Sequence, residues 1–175
     1  DSIAKYSDPI FFAAESGIVL TFFDAWVGTI SFMLQLYFDF SGYTDMALGI
    51  GLIFGIKLPN NFLSPFKATN ISEFWRCWHI TLTRMIRNYI YTPLALRLTR
   101  MSIEKNLGEK ITFFMGVIFP TLFAFFWVGV WHGAGWNFIC FGLLNGFYLI
   151  FYYLMQQSKI SLARFKNFNI ELMRF

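Results

Sequence analysis

The longest feature of the hydrophobic pattern is a run without Asp, Glu, Lys or Arg from Ile111 to Ser158, 48 residues in all. One membrane-crossing helix needs ~20 apolar residues, so this run predicts two crossing helices or a helical hairpin. It is interrupted at Trp131-His132-Gly133-Ala134-Gly135, where two glycines let the backbone turn or let helices approach closely. A second candidate span runs from Gly17 to about Phe38, apolar except for Asp24. A third apolar run, Met46 to Ile56, is too short to cross and reads as a partial or interfacial helix. Between these two, residues 39 to 45 (D-F-S-G-Y-T-D) are expected to form a turn and a helix cap.

Residues 57 to 70, with two prolines and three asparagines, predict an irregular connection. Asn70 then starts a helix, with Glu73 placed to reach back to the cap. Phe74, Trp78, Leu82, Met85 and Tyr89 recur at helical spacing, with Arg76, Thr83 and Arg87 on another face. This amphipathic helix is expected to lie in the membrane interface and to stop at Pro93. Residues 97 to 110 read as a polar, basic connection.

Composition makes lipid the expected solvent. The chain is 57% hydrophobic, 22% aromatic and only 14% charged, whereas a soluble domain carries about a quarter charged residues. The fold class implied is an all-α polytopic membrane protein. Its 175 residues are read as a single domain, 1–175, incomplete at both ends and internal to a longer protein. The net charge of +4 is unevenly spread: from Lys57 to Lys110 nine basic residues face three acidic ones. The positive-inside rule puts that segment on the cytoplasmic side. Lys159, Arg164, Lys166 and Arg174 place the C-terminal end there too, so the hairpin must cross and return. Cys77 and Cys140 suggest neither a disulfide nor a metal site.

Two histidines carry the candidate chemistry. His132 stands in the middle of the uncharged run, and an ionisable group at membrane depth is by default a functional hypothesis. Desolvation favours a neutral imidazole, the state a general base needs. The bland reading is a histidine that ties two helices together through a hydrogen bond. His79, beside Trp78 on the amphipathic helix, either lines a cavity or sits at the water boundary. Arg76, Arg84 and Arg87 suit the phosphates of a cytoplasmic donor or of anionic lipid. Asp39 and Asp45 read as caps or Asx turns, and the Asn70-Ile71-Ser72 sequon as a cap.

Four motifs in order carry a resemblance: Y-F-D-F-S-G-Y-T-D-M-A-L-G-I-G at 37–51, N-F-L-S-P-F at 61–66, S-E-F-W-R-C-W-H-I-T-L at 72–82, and W-H-G-A-G-W at 131–136. Together they resemble the membrane-bound O-acyltransferase (MBOAT) family over residues 31–150, in its bacterial branch for alginate O-acetylation and D-alanyl transfer. The resemblance implies a helical bundle around a tunnel, with interfacial and partial helices. His132 matches the family's catalytic histidine and His79 the second histidine. Cys77, Asn88 and Leu94-Ala95-Leu96 depart from the usual pattern. They leave both histidines intact and argue for a sub-branch distinct from alginate.

The function expected is an O-acyltransferase of the bacterial cytoplasmic membrane, moving an acyl group, acetyl by preference, onto a hydroxyl of an exported or cell-surface polysaccharide. His132 acts as base and His79 as the second catalytic residue. Arg76, Trp78, Trp131, Trp136 and Asn137 are candidate substrate-binding residues. No metal and no bound cofactor are expected; acetyl-CoA or another acyl thioester enters as the donor substrate. The other expected partners are the bilayer and an extracytoplasmic partner acyltransferase, with no nucleic acid. The rival reading is a transporter or channel segment, with His132 in a proton or substrate path.

Overall fold

The computed structural model describes residues 2–172, with side chains through residue 158. Regular structure among the described residues is helical throughout, with no strand. The chain divides into two compact units, residues 1–61 and 62–175. The basic residues Lys159, Arg164, Lys166 and Arg174, used above to place the C-terminal end, lie outside the described side chains.

The first unit is a pair of helices, α1 (Ala4–Glu15) and α2 (Phe22–Ile53). Thr21 and Asp24 start α2 with a reciprocal capping box: the Asp24 amide donates to the Thr21 hydroxyl at 3.2 Å and the Thr21 amide to the Asp24 carboxylate at 3.1 Å. α1 is fastened to α2 by Ser7, whose fully buried hydroxyl donates to Gln35 Oε1 at 2.6 Å.

Residues 39–45 form no turn, and Asp39 and Asp45 are not caps; the whole segment lies inside α2. The reason is local: Ser41 and Thr44 donate their hydroxyls to the carbonyls of Phe38 and Ser41, so they spend their hydrogen bonds within the helix. The expected short helix from Met46 is likewise the last quarter of α2. That helix ends in a Schellman arrangement with Gly55 at φ 71°: the Ile56 amide donates to Gly51 O at 2.8 Å and the Gly55 amide to Leu52 O at 3.0 Å. Phe23 and Ile53 are 77% and 82% exposed, a surface suited to lipid or protein and not to water.

The second unit contains α3 (Ile71–Cys77), α4 (Ile80–Ile86), α5 (Thr92–Glu104), α6 (Glu109–Phe113), α7 (Phe119–His132) and α8 (Trp136–Leu172). A single 3₁₀ turn, Pro65–Lys67, precedes them. Asn70 caps α3 as its sequence context indicates, accepting from the Glu73 amide at 2.9 Å. The Glu73 carboxylate reaches one residue past the cap, to the amide and hydroxyl of Thr69 at 2.9 and 2.8 Å.

Two expectations fail here for identifiable reasons. The amphipathic helix breaks at Trp78-His79, so its five-residue stripe does not share a face: Leu82 is buried while Met85 and Tyr89 are exposed. Pro93 does not end the helix either. A widened π turn, Arg87–Tyr91, stands immediately before Thr92-Pro93, and α5 follows without a break. The same device, Phe114–Ile118, precedes Phe119-Pro120. Proline lacks an N–H and crowds the carbonyl four residues back; a wider turn there relieves both defects. Residues 97–104 are accordingly helix, and only residues 105–108 connect α5 to α6.

α7 and α8 pair as the expected hairpin, turning at residues 133–135. Gly129 and Gly142 bring the backbones together: a β-carbon on Gly129 would stand 2.5 Å from the Phe138 carbonyl oxygen. Leu82, Ile86, Ala124 and Val128 form the buried core of the unit, with Ile90 and Tyr91 packed against it. Among the described residues two segments are long and apolar enough to cross a membrane, Glu109–His132 and Trp136–Ser158, with mean hydropathies of 2.1 and 1.8. α2 is not among them.

Candidate functional site

The site is assembled by a helix break and a helix end. At the break, Trp78 is extended (φ −99°, ψ 128°) and His79 is left-handed (φ 42°, ψ 55°). An L residue with a β-carbon occupies that region at a cost of about 1–2 kcal/mol, which surrounding packing must offset. Trp78 supplies packing: its ring stacks on Phe74 (centroids 5.6 Å apart, planes at 16°) and meets Phe62 edge-on at 5.1 Å. Trp75, one turn earlier, is buried edge-on against Phe125 of α7 at 5.2 Å. α3 is thereby fixed to α7, and His79 is turned out of the helix line.

At the helix end, His132 is the last residue of α7. Its imidazole lies between two aromatic rings, Trp131 at 4.9 Å and Phe141 of α8 at 5.4 Å, with planes at 77° and 83°. The other side of the Trp131 story is His79, whose ring meets the same indole at 5.8 Å and 68°. The two histidines, 53 positions apart in sequence, thus converge on one tryptophan. His132 is exposed and His79 half-buried. Burial, and then the proximity of His132, hold the His79 imidazole below its usual pKa, against an opposing backbone hydrogen bond. His79 is therefore neutral at neutral pH.

One helical turn from both histidines lies a cavity of about 200 Å³. Val128, four residues before His132, and Thr83, four after His79, are on its wall. The interior is mainly apolar; its polar groups include those of Arg76, Arg87, Thr83, Tyr91 and Tyr153. Burial pushes the pKa of the Tyr91 phenol up, and Thr121 beside it opposes that shift. Thr121 is itself buried and donates to Val117 O at 2.7 Å.

Of the candidate substrate-binding residues, Trp131 is at the histidines and Arg76 on the cavity. Trp78 belongs to the aromatic cluster that supports the break. Trp136 and Asn137 are exposed on the first turn of α8. Arg87 lines the cavity, whereas Arg84 is exposed and does not. Sequence spacing did not disclose Phe141 or Tyr91. Phe141 alone had a signal, since a hairpin turning at 133–135 sets the second turn of α8 beside the end of α7. Cys77 and Cys140 are free thiols. Among the described residues no group of three or more His, Cys, Asp or Glu side chains is arranged to hold a metal.

Residues 4–170 match the model of the MBOAT, membrane-bound O-acyltransferase family. The chain is 47% identical to the peptidoglycan O-acetyltransferase of Helicobacter pylori over 83% of its own length and 25% of that protein. It is 38% identical to an alginate O-acetylase of Azotobacter vinelandii, so named with the qualifier "probable", over 85% of the chain and 26% of the relative. The teichoic acid D-alanyltransferase of Bacillus subtilis is 35% identical over 65% of the chain and 27% of the relative. The chain spans about a quarter of the length of these curated relatives.

Proposed function

Because this chain belongs to the membrane-bound O-acyltransferase family, we propose that it forms the histidine-bearing part of an enzyme that moves an acyl group from a thioester donor to a hydroxyl of an envelope polymer. The observation that carries the reading is the convergence of His79 and His132 on Trp131, at the turn of the hairpin and one helical turn from an apolar cavity.

In this mechanism a ring nitrogen of neutral His132 accepts the proton of the acceptor hydroxyl as its oxygen attacks the thioester carbonyl carbon. The tetrahedral intermediate collapses, the C–S bond breaks, and the thiolate takes the proton back from the imidazolium. An ester and a free thiol result. A positioned base contributes roughly 10²–10⁴-fold, and holding both reactants together in a dry passage contributes further. The cavity suits the slender arm of the donor, with Arg76 and Arg87 offering forked donors to phosphate oxygens at its edge. Acetyl-CoA is one donor of this chemistry. His79 is the second imidazole of the site.

The names of the relatives support the acceptor class: peptidoglycan, alginate and teichoic acid are all envelope or exported polymers. The higher identity to the peptidoglycan enzyme favours acetyl as the group and a glycan hydroxyl as its destination. We place the protein in the bacterial cytoplasmic membrane as one multi-pass domain, with Lys105 and Lys110, at the start of the first crossing segment, on its inner side. An extracytoplasmic acyltransferase then completes delivery.

The test is the full-length protein carrying His132→Ala, compared with wild type at equal membrane abundance for labelled acyl groups entering the envelope polymer. Transfer is expected to vanish; near-normal transfer removes the base assignment. Solute or ion flux in proteoliposomes without acyl turnover supports a transporter instead.

A further inference from the structure

A general base must be held in one orientation, usually by a hydrogen bond from its second nitrogen to a carboxylate or carbonyl. Among the described residues no side-chain hydrogen bond holds the His132 ring; it is flanked by Trp131 and Phe141, both nearly perpendicular to it. Phe141 is set by the α7–α8 pairing. Trp131, 55% exposed at the end of α7, has one further ring against it among the described residues, that of His79. His79 in turn stands at a left-handed backbone position and is half-buried, whereas Trp131 is exposed.

We propose that Trp131 is a positioning residue, a strut through which His79 fixes the plane of the His132 imidazole. This rests on the proposed role of His132 as base and assigns His79 an action at one remove from the reacting atoms. Edge-to-face contacts between rings prefer defined angles at centroid separations of 4.5–7 Å, and all three contacts, at 5.8, 4.9 and 5.4 Å, lie in that range. Removal of either His79 or Trp131 frees the same ring, so the two losses are expected not to multiply.

The experiment is a double-mutant cycle in the full-length protein, expressed as the sole copy in cells. The initial rate of labelled acetate entering the envelope polymer is divided by membrane abundance. His79→Gln and Trp131→Leu are each expected to lose roughly ten- to a hundredfold, the scale of a misoriented catalytic group. The double variant should lose no more than the worse single one. Trp131→Phe, which keeps a ring, should retain most of the rate. Multiplicative losses, an unchanged rate in either single variant, or Trp131→Phe as slow as Trp131→Leu each overturns the strut. Should Trp131→Leu fail to accumulate, carbethoxylation of His132 in purified His79→Gln protein decides. A faster reaction than in wild type supports the strut, and an unchanged one refutes it. His132→Ala with normal transfer would sink the base assignment separately, leaving the coupling between His79 and Trp131 readable in the same assay.

Discussion

Gly142 of α8 backs onto Gly129 of α7 so closely that a β-carbon at 142 would stand 2.9 Å from the Gly129 nitrogen and 3.0 Å from its α-carbon. These are backbone atoms, which cannot swing aside as a side chain does. Gly142→Ala is therefore expected to force the hairpin apart and destabilise the protein by about 1–3 kcal/mol. Gly146→Ala is the control, because its new carbon would meet the Phe125 β-carbon at 3.2 Å and Leu122 at 3.4 Å. Thermal unfolding of the full-length protein in detergent should rank Gly142→Ala well below Gly146→Ala.

The start of α3 should respond to both mutation and pH. Asn70→Ala removes the acceptor of the Glu73 amide, and a lost cap costs about 1 kcal/mol. The backbone and hydroxyl of Thr69 hold the Glu73 carboxyl below its usual value, the backbone bond contributing more. A depressed carboxyl stabilises the fold above its unfolded pKa and loses that stabilisation as pH falls through the folded value. Melting temperature against pH should therefore drop less on acidification in Glu73→Gln than in wild type.

His79 separates conformation from chemistry. Asparagine tolerates the left-handed region better than most residues, so His79→Asn is expected to keep near-normal thermal stability while acyl transfer falls. His79→Ala should lose both. Equal stability of the two variants would show that the left-handed backbone demands nothing of its side chain.

The lowered pKa of His79 has a defined sign. Its unfolded imidazole binds a proton at higher pH than the folded one, so stability is full above ~6.5 and declines as pH falls through the folded value. His79→Gln should flatten the wild-type decline between pH 6.5 and the acid limit of the melting curve.

Tyr91→Phe removes a half-buried phenol hydroxyl from the cavity wall and is expected to raise the KM for the donor above that of wild type. An unchanged KM would place the donor arm outside the cavity.

Much of this architecture could be read from residue order, and the exceptions share a cause. The α7–α8 hairpin and its turn followed from a charge-free run broken by two glycines. The α3 start followed from Asn70 and Glu73. What misled was punctuation that neighbouring groups had cancelled. Ser41 and Thr44 bond their own helix, so D-F-S-G-Y-T-D does not turn. A wide turn before Pro93 lets the helix continue. The opposite error occurred at His79, where Trp78 packing between Phe62 and Phe74 breaks a helix that carries no breaking residue. At the site, both histidines were visible in the sequence. Their meeting on Trp131 was not, because it depends on that break.

The two π turns also act as phase shifters. Each inserts one extra residue into its helix, so every later side chain is rotated by roughly 100° from where an unbroken 3.6-residue count would put it. Arg97 and Arg100 on one helix, and Val128 and His132 on the other, owe their azimuth to that added residue. Shortening Phe114–Ile118 by one position would leave the amino acids of the site intact and aim the terminal imidazole in another direction.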